Sequence, residues 1–412
     1  MLLLNHFFPP DPAPTGQLLA ALARHLAAEG HDLTVICAAA SYAEPDPSEP
    51  PPPVRILRTP SLPFARTGPA RLLSYASFYL GALWWGLRTP KPGLVLTLTT
   101  PPLLSLLGTL LKKLRGARHV IWEMDLYPDV AIDLGLLRPR SLLTRALAAL
   151  ADYSRRHADA IIVLGPCMKE RLLTHPIPAS KIHVAENWAD GALISPLPTT
   201  HNPQSTIHNP QSTIHTLRIL YSGNLGLAHD LDTISAAMLA LKDDPRFRFI
   251  FAGAGPRRKP LEDFCRDRAL HNVAFLPYQP RHRLSDHLAA CHLGLVTQHP
   301  NTLGSVVPSK IYALMAAARP VLFIGPRAAT PARIIQRFRC GWQIDPGDAN
   351  SLISLLHLLA SDPALLRDAG HRARQAFLEH YDLPIGVNRI TAILSAIHNL
   401  HPIRLCASAS PR

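Results

Sequence analysis

Residues 2–39 read LLLNHFFPPDPAPTGQLLAALARHLAAEGHDLTVICAA, and their punctuation decides the fold. A short apolar run, LLLNHFF, ends in the breaker-rich loop PPDPAPTG. From residue 17 to 29 a helix follows, in which Leu18, Leu22 and Leu26 recur every four residues. Thr15 is placed to cap it, Gly30 ends it, and LTVICAA is the next apolar strand. Strand, helix and strand within forty residues make a βαβ unit, which predicts a doubly wound parallel sheet. The rhythm restarts at LRILYSG (217–223), followed by the loop GNLGLAHD and the helix TISAAMLALKDD. The strand FRFIFAG, the loop AGPRRK, a helix around LEDFCRDRA and the strand NVAFLPY continue it. Two such series predict an α/β protein of two Rossmann-like domains facing a central cleft.

The 412 residues are more than one core usually holds, so two domains are expected on length alone. Between the series, residues 201–214 are the heptad HNPQSTI written twice. Pro203 and Pro210 forbid a continuous helix, and no apolar seam exists, so the repeat reads as a low-complexity linker and not a coiled coil. Deleting one copy is expected to leave folding and activity intact.

With 42 Lys+Arg against 29 Asp+Glu, the net charge of +13 favours anionic partners: nucleic acid, nucleotides or a phospholipid surface. The six cysteines lie far apart, with no CxxC pair and no zinc spacing, as in a reduced cytosolic protein. The opening residues lack a basic n-region and a signal-peptide core, so no export is expected.

The proline-rich stretch 44–53 must be a surface loop. From Glu49 to Glu123 no carboxylate intervenes, while ten basic residues do: Arg55, Arg58, Arg66, Arg71, Arg88, Lys91, Lys112, Lys113, Arg115 and Arg118. The same window holds two uncharged apolar runs, 72–87 and 93–111. They read as transmembrane helices, as buried βα units, or as a peripheral membrane face in which Trp84, Trp85, Tyr75 and Tyr79 dip beside a basic rim. Pro101 and Pro102 divide the second run into a strand and a helix, against a membrane span. The apolar character and the lack of a recognition motif argue against nucleic acid.

The first loop has one glycine, Gly16, and AGAGPRR offers Gly253 and Gly255 but Arg258 where a dinucleotide fingerprint needs a third. A P-loop is also absent. SGNLG (222–226) suits a diphosphate at a helix start, or is an ordinary tight turn. In VPSKIYALMAAARPVLFIG (307–325), Pro308 and Ser309 would start and cap a helix, with Lys310 in its first turn. A cation there opposes the helix dipole unless an anion joins it. Asp230 and Asp232 read as a metal pair or as capping groups, capping being the simpler account. In WEMDLYPDVAIDLGLL (122–137), Glu123, Asp125 and Asp129 bring carboxylates to a strand's C-terminal end, for acid–base work or for capping.

Taken in order, these stretches together with ENWAD, FAGAGP and FLPYQP resemble the family-four retaining glycosyltransferases of the GT-B fold. The similarity is strongest to bacterial enzymes that build O-antigen, colanic acid and capsule oligosaccharides on a lipid carrier, and spans roughly residues 1–395. The resemblance implies an acceptor domain at 1–195, a linker at 196–216, a nucleotide-sugar domain at 217–380, and a crossover helix and tail at 381–412. It implies a nucleoside-diphosphate sugar donor and a lipid-linked, polyprenyl diphosphate type saccharide acceptor. No metal and no cofactor are expected, and the location is the cytoplasm, peripheral on the inner face of an anionic membrane. Gly223, Asn224, Gly226, Ser309 and Lys310 would hold the diphosphate, with Gly253 and Gly255 in the adjoining loop. Tyr278 would lie near the base, Gly16 near the sugar and acceptor, and Asp125 would orient the acceptor.

Two features depart from the family pattern. Where many relatives carry glutamates eight residues apart, this chain has Ser305 and Ala313. The usual Arg and Lys of the first diphosphate loop give way to Asn224 and His229. These departures keep two alternatives open: a nucleotide-sugar epimerase of the same fold, and a non-catalytic membrane- or nucleotide-binding protein.

Overall fold

The computed structural model describes residues 1–39, 50–62, 69–197, 216–279 and 283–398. The duplicated heptad, most of the proline-rich loop and the tail beyond residue 398 lie outside the described residues.

The first half runs β1 (Leu2–Leu4), α1 (Pro14–Ala28), β2 (Thr34–Ala38), β3 (Arg55–Thr59), α2 (Pro69–Arg88) and β4 (Leu94–Thr97). It continues with α3 (Ser105–Arg115), β5 (Arg118–Glu123), α4 (Asp129–Asp133), α5 (Leu142–His157), β6 (Ala160–Val163), α6 (Pro166–Leu172) and β7 (Ile182–Val184). The strands form one parallel sheet in the order β3-β2-β1-β4-β5-β6-β7. The second half runs β8 (Leu217–Ser222), α7 (Asp232–Ala240), β9 (Phe247–Ala252), α8 (Arg258–Asp267), β10 (Val273–Leu276), α9 (Leu284–Ala289) and β11 (Leu293–Thr297). It ends with α10 (Lys310–Ala316), β12 (Val321–Ile324), α11 (Thr330–Phe338), β13 (Gly341–Ile344), α12 (Ala349–Ser361), α13 (Pro363–His380) and α14 (Leu383–His398). Its sheet, β10-β9-β8-β11-β12-β13, is parallel too. In both sheets the order reverses beside the first strand, where open α/β sheets bind ligands at the strands' carboxyl ends. The expected two-domain doubly wound architecture is therefore present.

Central strands such as Leu94–Thr97 and Val321–Ile324 are buried throughout, because helices cover both faces. On α1, Leu19, Leu22 and Leu26 are buried and share a core with Val387, Ile390 and Leu394 of α14, so the last helix packs on the first domain. Helix α1 begins earlier than its apolar period suggests. Pro14 takes the first turn, and Ala13 at the N-cap makes no side-chain bond, so Thr15 is not the cap. Its hydroxyl instead accepts from Asn5 Nδ2 at 3.3 Å.

The run 72–87 lies in α2, and 93–111 splits into β4 and α3, as the prolines require. Among the described residues no single helix is long and apolar enough to cross a membrane. Helical periodicity sorts α2 differently from the aromatic reading. Tyr75 and Phe78 are buried, Tyr79 donates to the Pro102 carbonyl at 2.5 Å, and Trp85 packs on the core. Of the four aromatics expected at a membrane, only Trp84 is exposed, alongside Leu72, Leu73, Leu80 and Leu87.

Candidate active site

The second domain contributes three glycines with positive φ, Gly223 (+127°), Gly253 (+129°) and Gly255 (+139°), where side chains are strained. Space forbids them as well. A Cβ on Gly253 would stand 2.1 Å from the Gly223 carbonyl oxygen, and one on Gly255 2.5 Å from that of Leu225. The loops after β8 and β9 are thereby stacked, joined by Gly223 N–H to Ala252 O (2.8 Å) and Leu225 N–H to Ala254 O (2.7 Å). A Cβ on Gly223 would meet Lys310 Cε at 2.7 Å, so the lysine stem lies directly on this turn.

Lys310 opens α10, keeping part of its surface at the cleft while its ammonium sits 5.1 Å from the Tyr221 ring centre and 3.4 Å from His229 Nε2. The ring assignment follows from chemistry. His229 Nδ1 lies 2.9 Å from the Thr297 carbonyl, which only accepts, so Nδ1 carries the proton and Nε2 offers its lone pair to Lys310. Burial, with the neighbouring Lys310 charge, lowers the imidazole to about 3, so it stays neutral. Desolvation lowers the ammonium to about 8, leaving it mainly charged at neutral pH.

The first domain contributes the end of β5. Of its three carboxylates, Glu123 pairs with Arg155 at 2.8 Å, both buried, and Arg155 also donates to Tyr127 O at 3.0 Å. Asp129 pairs with Arg171 (3.2 Å) and His175 (3.1 Å). Burial opposes its charge, but hydrogen bonding to His175 and nearby cations hold its carboxyl at about 2. Only Asp125 has no cation partner among the described residues. Burial, then the Glu123 charge, raises it to about 6.

The domains meet at this carboxylate. Asp125 forms an antiparallel bridge with Val306, and Leu126 N–H donates to Ser305 O at 2.9 Å. Gln298 Nε2 braces the incoming loop, donating to Thr302 O (3.0 Å) and Val306 O (3.1 Å). Lys310 follows Val306 by four residues, so one cross-domain pairing registers Asp125 and Lys310 together. Alongside, Cys167 Sγ and Thr330 Oγ1 are 3.1 Å apart, and Arg333 grips Glu170 at 2.7 Å and 2.8 Å.

Gly223, Asn224, Gly226, Gly253, Gly255 and Lys310 are thus assembled at one end of the second sheet, with the Asn224 carbonyl accepting from Tyr221 Oη at 2.6 Å. Ser309 holds the N-cap position of α10, exposed, but makes no capping bond, which corrects the capping role expected of it. Tyr278 is exposed, two residues past Leu276, whose carbonyl accepts Gly253 N–H at 3.2 Å, so it belongs to the same rim. Gly16 is buried in α1, where a Cβ would stand 3.0 Å from Phe7 O; its place in the structure is close helix–loop packing within the first domain. Asp230 Oδ1 accepts from Asp232 N (3.0 Å) and Thr233 N (3.3 Å), which makes it a helix cap. Among the described residues no three His, Cys, Asp or Glu side chains converge as metal ligands. Gln298 was not legible beforehand, because its amide braces a loop four to eight residues on that has no periodic pattern, and neither was the Tyr221–His229 seat of Lys310, which joins residues more than eighty apart in sequence.

Two stacked nucleotide-fold domains with a lysine-bearing helix over glycine turns define a GT-B glycosyltransferase. Residues 15–188 match the glycosyl transferase 4-like domain family, residues 208–376 match the glycosyl transferases group 1 family, and the chain belongs to this class of enzyme. It is 29% identical over 280 residues to a probable glycosyltransferase, WbjE, of Pseudomonas aeruginosa, covering 65% of this chain and 66% of that one. It is 26% identical over 327 residues to WcaI of Escherichia coli, a putative colanic acid biosynthesis glycosyl transferase, covering 75% and 79%. Sucrose-phosphate synthase from Thermosynechococcus elongatus shares the fold (TM-score 0.74, 16% identity, 97% and 98% coverage). So does Anabaena HepE, solved with UDP and glucose (TM-score 0.71, 14% identity, 96% and 99%).

Proposed function

We propose that the chain transfers a sugar, with retention, from a nucleoside-diphosphate sugar to a lipid-linked saccharide acceptor in cell-surface polysaccharide biosynthesis, at the cytoplasmic face of the membrane. Residues 1–195 would take the acceptor and 217–380 the donor, with 381–412 returning to the first domain. The observation that carries the reading is the Lys310 ammonium, seated over the Gly223 turn and registered with Asp125. In this reading Lys310 and the glycine loops meet the diphosphate, Ser309 and Asn224 add polar contacts, and Tyr278 borders the base. The acceptor hydroxyl, oriented by Asp125, bonds to the anomeric carbon on the face from which the diphosphate leaves, and its proton passes to the departing oxygen. Lys310 offsets the charge that builds on that oxygen. The names of WbjE and WcaI, and the UDP and glucose bound by HepE, support the substrate class.

The test is a thermal-shift series with UDP, GDP, dTDP, CMP and NAD, with and without magnesium, on the wild type and Lys310→Ala. One diphosphate should stabilise the wild type, by about 2.7 kcal/mol at a hundred times its Kd, without magnesium. Lys310→Ala should lose most of that shift and most turnover while melting near the wild-type temperature. No shift with any diphosphate, or a shift with NAD alone, would overturn the reading.

A further inference from the structure

We propose that the outer face of α2, α3 and the start of α5 is an interfacial docking surface for an anionic lipid bilayer. The proposal rests on the lipid-linked acceptor reading and names the surface that delivers such an acceptor. On α2, Leu73, Leu80, Trp84 and Leu87 stand at helical spacing, 60%, 72%, 53% and 42% exposed, along one stripe. Helix α3 packs on α2 and α5 packs on α3, and these two helices carry exposed Leu114 and Leu143, 58% and 60% accessible. Among the described residues, twelve of the twenty exposed large apolar side chains lie between residues 62 and 150, so this part of the molecule concentrates apolar surface.

Charge selects the occupant. No carboxylate occurs from residue 50 to 122, nor from 134 to 151. Asp159, which the fold brings to α3, is consumed by Lys112 (2.6 Å) and Arg118 (3.1 Å), and Asp152 on α5 by His175 (2.9 Å) and Arg155 (3.7 Å). Lys91, Lys113, Arg138, Arg140 and Arg145 are exposed on these helices and the loops that adjoin them in sequence. Arg88 lies over the Trp84 ring at 3.4 Å, an amphipathic pair suited to the headgroup level. An apolar stripe edged by cations of one sign complements anionic headgroups over acyl chains. It opposes a second copy of itself, since the two rims would repel.

The experiment is flotation of the full chain with phosphatidylcholine vesicles, with and without phosphatidylglycerol. The wild type should bind the anionic vesicles at least roughly tenfold more tightly, and added salt should release it. Leu73→Ser/Leu80→Ser/Trp84→Ser changes only exposed side chains and should weaken vesicle binding roughly tenfold or more, as should Arg138→Glu/Arg140→Glu/Arg145→Glu. Vesicle binding unchanged in both variants overturns the proposal. So does a dimer, seen by sedimentation, that the leucine variant dissolves without any vesicle binding. Nucleotide thermal shifts on the same variants separate the two readings. A wild type that binds nucleotide but no anionic vesicle overturns this surface alone, and a wild type that binds vesicles without any nucleotide shift overturns the donor reading alone.

Discussion

Asp125→Asn replaces a carboxylate that the fold holds at a cost. Its folded value of about 6 stands above an ordinary 3.8, and each unit corresponds to 1.36 kcal/mol, so ionised Asp125 destabilises the fold by about 3 kcal/mol. Partial exposure at the cleft reduces this to about 1.5 kcal/mol at the lower end. Because the folded value is raised, the penalty is fully present above about pH 6 and vanishes below about pH 4, where folded and unfolded chains are both protonated. The near-isosteric amide removes the charge and should therefore melt about 3–6 °C higher than wild type at about pH 8. That gain should fade as pH falls toward 4. Turnover should move the opposite way, with kcat falling more than donor affinity, and the wild type's own activity should decline below about pH 6 as the carboxyl protonates. Scanning fluorimetry across pH, paired with sugar-transfer kinetics, reads both. A variant that melts no higher at about pH 8, or gains equally at every pH, would refute the account of a charge stored against stability for use in the site.

Two further outcomes follow from the neighbouring groups. His229→Leu removes the Nε2 acceptor facing Lys310, so the ammonium should lose its proton at lower pH and the alkaline limb of donor binding should shift downward, while His229→Gln restores most of it; an unmoved pH profile would end this positioning role. Glu123→Ala leaves Arg155 buried without its partner and should cost about 3–5 kcal/mol, visible as a lower melting temperature whether or not nucleotide is bound; a near-neutral change would show the pair is dispensable.

The fold was legible because its signals are local. Leu22 and Leu26 mark the buried stripe of α1, and Pro101–Pro102 cut the apolar run where β4 gives way to α3. Lys310 was legible because a cation at a helix start is anomalous, and Gly223, Gly253 and Gly255 because glycine pairs follow predicted strands. What escaped depends on distance. Glu123, Asp125 and Asp129 look alike in sequence, and only the positions of Arg155, Arg171 and His175, 32 to 46 residues away, set Asp125 apart. Thr15 and Ser309 looked like caps because hydroxyls usually are, yet Pro14 occupies the start of one helix and backbone geometry serves at the other. Of the four aromatics in the membrane-face reading of α2, Tyr75, Tyr79 and Trp85 turn inward and Trp84 outward, since composition does not reveal which side of a helix is buried.

The two departures from the family pattern gain a physical account from the way the domains meet. Ser305 is fully buried, its carbonyl accepting Leu126 N–H at 2.9 Å and its hydroxyl lying 3.3 Å from Thr302 O. A glutamate there, with the backbone pairing of 125–126 and 305–306 kept as it is, would be desolvated between the domains at a cost of several kcal/mol, which the small serine avoids. Ala313 lies one helical turn beyond Lys310, where a glutamate would pair with the ammonium and offset its charge. With neither present, the Lys310 cation faces, among the described residues, His229 and the Tyr221 ring, and desolvation lowers it to about 8, near the pH at which it releases its proton. On the proposed reading an incoming diphosphate would supply the counter-charge that neither position provides, and donor affinity would then follow the protonation of that single side chain.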